Sequence, residues 1–330
     1  MNTIKISSGK TFKALANDTI LESAEKNKIN LPYSCRIGRC STCKCKVLTG
    51  ETYTNSSDAA ISQAEREAGW VLSCVTYAKS DLEVQVRTLE HKDLVIPKIF
   101  PCKITKIEYL SIDLMRVNLR TPPNNRFYCI PGQYINIMLE GEIARSYSVA
   151  NSTKSSSSIE LHIKRFDGGL MSDYWFNRAK EDDFLRFKGP FGTFFLDEVE
   201  DKRLVFLATG TGIAPVKAIL EGINERHKSD YPKSVEVYWG SRKPSDLYFE
   251  IPEVDYPLSF EKIISQPSSG WLGKIDYVQN VFLNTKPDLD DVIVYACGSE
   301  SMIKDSRDLL IKSGLPSDSF FSDAFVKSGQ

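Results

Sequence analysis

The chain has 330 residues, 42% hydrophobic and 26% charged, with a formal net charge of −1: an ordinary globular balance in a chain too long for one hydrophobic core. That charge excludes a global pull toward nucleic acid or an anionic membrane, and no apolar run approaches the ~18 residues of a membrane span. Three histidines argue against a His-rich site, whereas eight cysteines are many and unevenly placed.

The first residues, Met1-Asn2-Thr3-Ile4-Lys5, lack the basic-then-apolar pattern of a secretory signal, so a cytoplasmic location is expected. Thr3–Ile6 and Thr11–Ala14 alternate as a hairpin would, and Thr19–Ala24 starts a helix with Asp18 as its expected N-cap. Five cysteines then fall within the first 75 residues: Cys35, Cys40, Cys43, Cys45 and Cys74. Without an export signal, disulfides are not expected. Cys35-x4-Cys40-x2-Cys43, with Cys74 following 31 positions later, matches the plant-type [2Fe–2S] ligand spacing. A structural zinc site would show paired C-x2-C knuckles, and only one short pair is present. The small residues from Ser34 to Thr42 let backbone N–H groups point at cluster sulfurs, which stabilises the reduced cluster. Cys45, two residues past a ligand on an outgoing strand, is the expected bystander. Val71–Cys74 and Leu82–Val86 read as later strands. Residues 1–89 resemble a plant-type ferredoxin, which implies an α+β (β-grasp) domain holding its cluster on Cys35, Cys40, Cys43 and Cys74.

Residues 90–98 lack periodicity and read as a linker. Short alternating segments follow at Cys102–Tyr109, Leu114–Arg120, Tyr134–Leu139, Ile159–Lys164 and Phe184–Phe187, with turn residues such as Pro122-Pro123-Asn124 between them. They predict a small antiparallel β-barrel over 99–200. Arg145-Ser146-Tyr147-Ser148 opens a strand with Arg145 and Tyr147 on one face. An arginine can pair a phosphate, a tyrosine can stack on a ring, and Ser148 can donate a hydrogen bond. Gly168-Gly169-Leu170-Met171-Ser172 opens a helix over Ser172–Phe176 whose free N–H groups suit a diphosphate. Taken singly, an ordinary exposed strand and an ordinary turn are the better readings of these two motifs.

From residue 201 the pattern becomes strand–helix alternation. Arg203–Ala208 is a continuous apolar run, as in a strand buried on both faces, with Val235–Trp239, Leu258–Ile264 and Val292–Ala296 as neighbours. Helices are predicted over Pro215–Arg226, Tyr277–Leu283 and Ser301–Lys312. This reads as an α/β doubly wound parallel sheet spanning 201–330. Thr209-Gly210-Thr211-Gly212-Ile213-Ala214-Pro215 follows the first strand; its glycines admit a pyrophosphate, and Pro215 suits the first helical turn. The third Rossmann glycine is absent and no acidic residue ends the second strand at Trp239, so the dinucleotide fingerprint is not met. Cys297 sits at a strand's C-terminal end, where open α/β sheets bind ligands. By itself it fits a buried cysteine acting as a small hydrophobe.

In order, R-x-Y-S, G-G-x-x-S, Gly189-Pro190-Phe191-Gly192, the G-T-G-x-A-P turn and Cys297-Gly298-x-x-x-Met302 resemble the ferredoxin–NADP reductase superfamily. The resemblance implies FAD, with Tyr147 against the isoalloxazine and Ser148 near flavin N5. It puts the diphosphate between Arg145 and Ser172, with backbone contacts from Gly169 and Met171. It also implies a nicotinamide held by Gly210, Thr211, Gly212, Pro215 and Gly298, with Cys297 beside it; Cys297, Ser148 and Tyr147 are the expected catalytic residues. Gly240-Ser241-Arg242-x-x-x-Asp246-Leu247-Tyr248 is similar to the segment of NADH-linked members, so NADH is expected over NADPH, although Arg242 with Lys243 could meet a 2′-phosphate. Phe325 is the aromatic expected to cover the flavin; core packing explains it equally well.

The domain order implies an oxidoreductase passing electrons from NADH through FAD to the [2Fe–2S] cluster. The implied partner is an acceptor enzyme docking near the cluster loop. The resemblance makes it a pyridoxamine-phosphate-dependent dehydrase of 3,6-dideoxysugar synthesis, with the oxygenase component of a ring-hydroxylating dioxygenase or soluble monooxygenase as the alternative; no nucleic acid and no membrane are expected. Residues 1–89 carry twelve Lys+Arg and nine Asp+Glu, net +3, against −4 for the rest. Arg36, Arg39, Lys44 and Lys46 surround the cluster loop. They form either a rim for an acidic partner or a solvated loop offsetting the cluster's charge.

Overall fold

Period-two burial in short strands builds three main sheets in this computed structural model, which describes residues 1–325 except 57, 59, 92, 141–142, 198, 252 and 268–269. The first sheet runs in the order Thr11–Ala14, Asn2–Ile6, Leu82–Gln85, Lys44–Thr49, Trp70–Leu72. Asn2–Ile6 pairs parallel with Leu82–Gln85 and antiparallel with Thr11–Ala14. Helix Ile20–Lys26 buries Leu21 and Ala24 in one core with Ile4, Ile6, Leu72 and Val84. Its N-cap is Thr19, not Asp18. Thr19 Oγ1 accepts from the Glu22 N–H while the Glu22 carboxylate accepts from the Thr19 N–H, a reciprocal capping box. Asp18, one residue too early for that geometry, pairs with Lys26 at 2.7 Å instead.

The second sheet is antiparallel throughout: Ala144–Ser148, Tyr134–Met138, Phe184–Phe191, Lys98–Ser111, Leu114–Arg120, Ser158–Lys164. Its two ends meet at the Val149–Leu161 bridge, where the Ala150 N–H donates to Glu160 O at 2.8 Å, and this closes a barrel. Ile104, Val117, Ile135, Ile137, Leu161 and Phe187 fill it. The expected helix at Ser172–Phe176 is one α-turn, Leu170–Asp173, that widens into a π-turn over Tyr174–Arg178 and buries Trp175 and Phe176. Two adjacent bulky aromatics that both need burial favour the wider turn over a regular helix.

The third sheet orders Lys274–Ile275, Leu258–Ile264, Ser234–Ser241, Arg203–Thr209, Val292–Ser299 and Phe320–Phe325. The pairings among the first five are parallel. Helices Ile213–Asn224, Val278–Asn284 and Glu300–Lys312 lie between its strands in sequence. Chain order reverses at Arg203–Thr209, which has Ser234–Ser241 on one side and Val292–Ser299 on the other. The C-terminal ends of those strands are therefore the place for a ligand. By compactness the described residues form two units, 1–91 with 322–325, and 93–321; the barrel and most of the parallel sheet share the second. Among the described residues, no helix is long and apolar enough to cross a membrane.

Candidate functional site

In the first unit, Cys35, Cys40 and Cys43 lie on one loop ahead of strand Lys44–Thr49, and Cys74 follows strand Trp70–Leu72. Residues Arg36, Gly38 and Ser41 adopt φ of 60°, 76° and 59°, which curls the backbone so that its N–H groups face inward. The Arg39 N–H reaches Cys35 Sγ at 3.4 Å and the Cys35 N–H reaches Cys40 Sγ at 3.5 Å. Cys43 Sγ lies 3.2 Å from Cys74 Sγ. The Cys40 thiol hydrogen bond, opposed by burial, brings the Cys35 thiol down to about 7. Four soft sulfur donors with N–H groups aimed at two of them fit an iron–sulfur cluster. Cys45 stands apart: it is fully buried in the outgoing strand, and burial pushes its thiol up to about 12. The loop is pinned from outside, since Thr42 Oγ1 donates to Ser322 O at 3.0 Å and Ser34 Oγ donates to the buried Asp323 carboxylate.

The basic rim is partly spent inside its own unit. Arg36 pairs with Glu25 and lies 4.1 Å over the Tyr33 ring; Lys44, only 9% exposed, pairs with Glu65.

In the barrel, Arg145 and Tyr147 alternate along Ala144–Ser148, and Ser148 stands opposite Tyr134, buried. Trp175 Nε1 donates to Tyr147 Oη at 3.0 Å, with the rings edge-to-face at 6.1 Å. The Arg145 guanidinium sits 5.8 Å over Phe166. Ser172 Oγ accepts from the Phe166 N–H at 2.8 Å, and the Gly169 N–H donates to Phe166 O at 3.1 Å, which fixes the turn ahead of Leu170. Gly168, at φ +73°, has open space where a side chain would be, while Met171 packs into the barrel core. An aromatic shelf beside a cation and an open glycine turn fits a flavin dinucleotide.

In the parallel sheet, two turns meet backbone to backbone at the switch point. A Cβ on Gly212 would lie 2.2 Å from Cys297 O, and one on Gly298, at φ +149°, would lie 2.1 Å from Thr209 Oγ1. Only glycine fits either place. The packing gathers Gly210, Thr211, Gly212, Cys297 and Gly298, with Pro215 buried in the helix behind and Cys297 fully buried. Trp239 Nε1 donates to Gly210 O at 2.9 Å. Arg242 is exposed just past Ser234–Ser241, and Asp246 lies 3.9 Å from Lys164 Nζ. Phe325, half-buried, ends the last strand in the segment that groups with the cluster unit.

Trp175 and Trp239, each holding a site residue by its indole N–H, escaped the sequence reading. An apolar residue's hydrogen bond to a distant turn has no local signature.

Three family descriptions match the chain in order: a 2Fe-2S iron-sulfur cluster binding domain at residues 4–79, an oxidoreductase FAD-binding domain at 101–196 and an oxidoreductase NAD-binding domain at 206–308. The chain is 35% identical over 97% of its length to the CDP-6-deoxy-L-threo-D-glycero-4-hexulose-3-dehydrase reductase of Yersinia pestis, covering 97% of that protein. It is 29% identical, over 96% of its length and 95% of the relative's, to reductase component 1 of the terephthalate 1,2-dioxygenase of a Comamonas species. Among solved structures, the Amycolatopsis cytochrome P450 reductase GcoB superposes with a TM-score of 0.77 at 24% identity, covering 100% of both chains.

Proposed function

Because the chain belongs to the ferredoxin–NADP reductase superfamily, in the branch with an N-terminal plant-type [2Fe–2S] ferredoxin domain, we propose that it carries electrons from NADH to a pyridoxamine-phosphate-dependent dehydrase of 3,6-dideoxysugar synthesis. It is an oxidoreductase with iron–sulfur, FAD and nicotinamide domains. When bound, those groups supply hydride acceptance and one-electron transfer. The chain's own residues hold and orient them. Cys35, Cys40, Cys43 and Cys74 would ligate the cluster, and Tyr147, Ser148, Arg145 and the Gly169–Ser172 turn would seat FAD. The Gly210–Gly212 turn packed on Cys297-Gly298 would present the nicotinamide, with Cys297 excluding water behind it.

The full-length similarity to the Yersinia pestis reductase is the observation that carries the dehydrase assignment. NADH is favoured by the Gly240-Ser241-Arg242-x-x-x-Asp246-Leu247-Tyr248 segment, which is similar to that of NADH-linked members, while the exposed Arg242 and Lys243 are the cations a 2′-phosphate would use. Similarity to the Comamonas protein favours the second reading, an oxygenase reductase.

Anaerobic NADH should bleach the flavin and iron–sulfur absorbance together, with NADH preferred at least tenfold over NADPH in kcat/KM. With the dehydrase and CDP-4-keto-6-deoxyhexose added, NADH oxidation should be coupled to loss of the sugar's 3-hydroxyl. Bleaching without that coupling, but with reduction of an oxygenase component, would move the assignment to the second reading. Colour that persists under either nucleotide would sink both.

A further inference from the structure

Strand Ser158–Lys164 closes the barrel with Ile159, Leu161 and Ile163 facing its core. The alternate residues Glu160, His162 and Lys164 therefore face outward, yet the His162 side chain is fully buried. Both ring nitrogens are engaged: Nε2 lies 2.8 Å from Glu160 Oε1 and Nδ1 lies 2.9 Å from Tyr248 Oη. A carboxylate only accepts, so Nε2 carries the proton and donates to Glu160, which leaves Nδ1 to accept from the Tyr248 hydroxyl. The rest of the surroundings suits this neutral tautomer. The Lys217 ammonium and the Arg116 guanidinium, 3.4 and 3.5 Å from Glu160 Oε1, satisfy that carboxylate without a charged imidazole.

From Tyr248 the contacts continue to the nicotinamide turn. Its ring meets His162 edge-on at 5.3 Å and Trp239 edge-on at 5.3 Å, and the Trp239 indole N–H holds Gly210 O at 2.9 Å. Lys217 belongs to the helix that leaves that same turn, and besides Glu160 it donates to Ala150 O at 3.1 Å, two residues beyond Ser148. Glu160 and His162 thus grip the nicotinamide turn along two routes, through Tyr248 and Trp239 to its glycine, and through Lys217 to its helix.

We propose that His162 is a positioning residue for the step between nicotinamide and flavin: by accepting from Tyr248 it sets where the Gly210 turn stands relative to the flavin shelf. The proposal rests on the chain being a nicotinamide-dependent flavin reductase, not on the identity of the acceptor. It concerns geometry at the reacting pair, so loss of the bond should slow flavin reduction at saturating NADH more than it weakens NADH binding.

The test compares wild type with Tyr248→Phe, His162→Leu and His162→Gln, all FAD- and cluster-loaded. Stopped-flow reduction by NADH gives the limiting rate and the dissociation constant. Hydrogen exchange of residues 209–217 without nucleotide gives a readout independent of turnover. Tyr248→Phe, which keeps both ring contacts, should lower the limiting rate three- to tenfold, change the dissociation constant less than twofold, and speed exchange in the turn. His162→Leu should do the same or more, and His162→Gln, which retains a polar partner for Tyr248, should recover part of the loss. Cluster reduction by dithionite should be unchanged in all. Wild-type limiting rate and exchange in Tyr248→Phe would overturn the proposal even if His162→Leu fails to fold. So would an effect confined to the dissociation constant. Failure of NADH to reduce wild-type flavin would instead refute the underlying assignment.

Discussion

Single residues decide most at the Gly210–Gly212 turn and in the cysteine loop. Gly212 is the sharpest case, because its missing Cβ would meet the Cys297 carbonyl, a backbone atom with nowhere to go. Gly212→Ala should cost about 1–3 kcal/mol of overpacking and displace the turn. Flavin reduction by NADH should drop on the order of a hundredfold while photoreduction of the flavin is spared; stopped-flow kinetics against both reductants checks it. Among the cysteines, Cys74→Ser should empty the cluster without disturbing flavin absorbance. Cys45→Ala should keep its iron and lose only ~1 kcal/mol from the small buried cavity, as iron content and urea unfolding would report. Spacing in the sequence sets Cys45 apart from the expected ligands because metal ligation demands a fixed local pattern. His162 had no such signal: its partners stand two residues along a strand and 86 positions away, and only packing of the Tyr248 segment on the outer face of the barrel brings the second near.

At the scale of elements, four of the six strands of the third sheet and the three helices between them were legible, since long apolar runs and 3.6-residue periodicity are tertiary-independent signals, whereas the two edge strands Lys274–Ile275 and Phe320–Phe325 carried no such run. Two misreadings have local causes. Asp18 and Thr19 are both good caps, and only the position of Glu22 three residues on, relative to Thr19, selects between them. The π-turn at Tyr174–Arg178 follows from burying Trp175 and Phe176 together, a packing demand no periodicity announces. Thr19→Ala should therefore cost the first unit about 1 kcal/mol, and Asp18→Ala less, measured as urea midpoints. Helix Gln63–Glu67 carries a second capping box, Ser62 with Glu65, and there the carboxylate also holds Lys44. Burial opposes the Glu65 charge, but Lys44 and Ser62 outweigh it and draw the carboxyl from its ordinary 4.5 down to about 2. Its contribution to folding is whole above pH 4.5 and disappears as pH falls through about 2. Glu65→Gln should lower stability at neutral pH and flatten the acid limb of a near-ultraviolet unfolding curve.

For the whole molecule, the net charge of −1 conceals a basic first domain and an acidic remainder. With Arg36 and Lys44 already paired, Arg36→Glu should first strand Glu25 beside a second carboxylate and destabilise the cluster loop. Arg39→Glu should raise the KM for the acceptor and alter its salt dependence. The sequence delivered three cofactor domains in order. It gave no sign that the cluster unit is discontinuous in the chain, because the hydrogen bond that shows it joins Thr42 to Ser322, 280 residues on. That feature has a temporal meaning. A ribosome releases Thr42 long before it makes Ser322 and Asp323, so throughout synthesis of the reductase half the nascent cluster loop lacks its two outer anchors. A cluster should accordingly become firmly held only on the finished, released chain, and a cluster-loaded, ribosome-stalled intermediate ending before Ser322 should surrender it to a chelator faster than the full-length protein does.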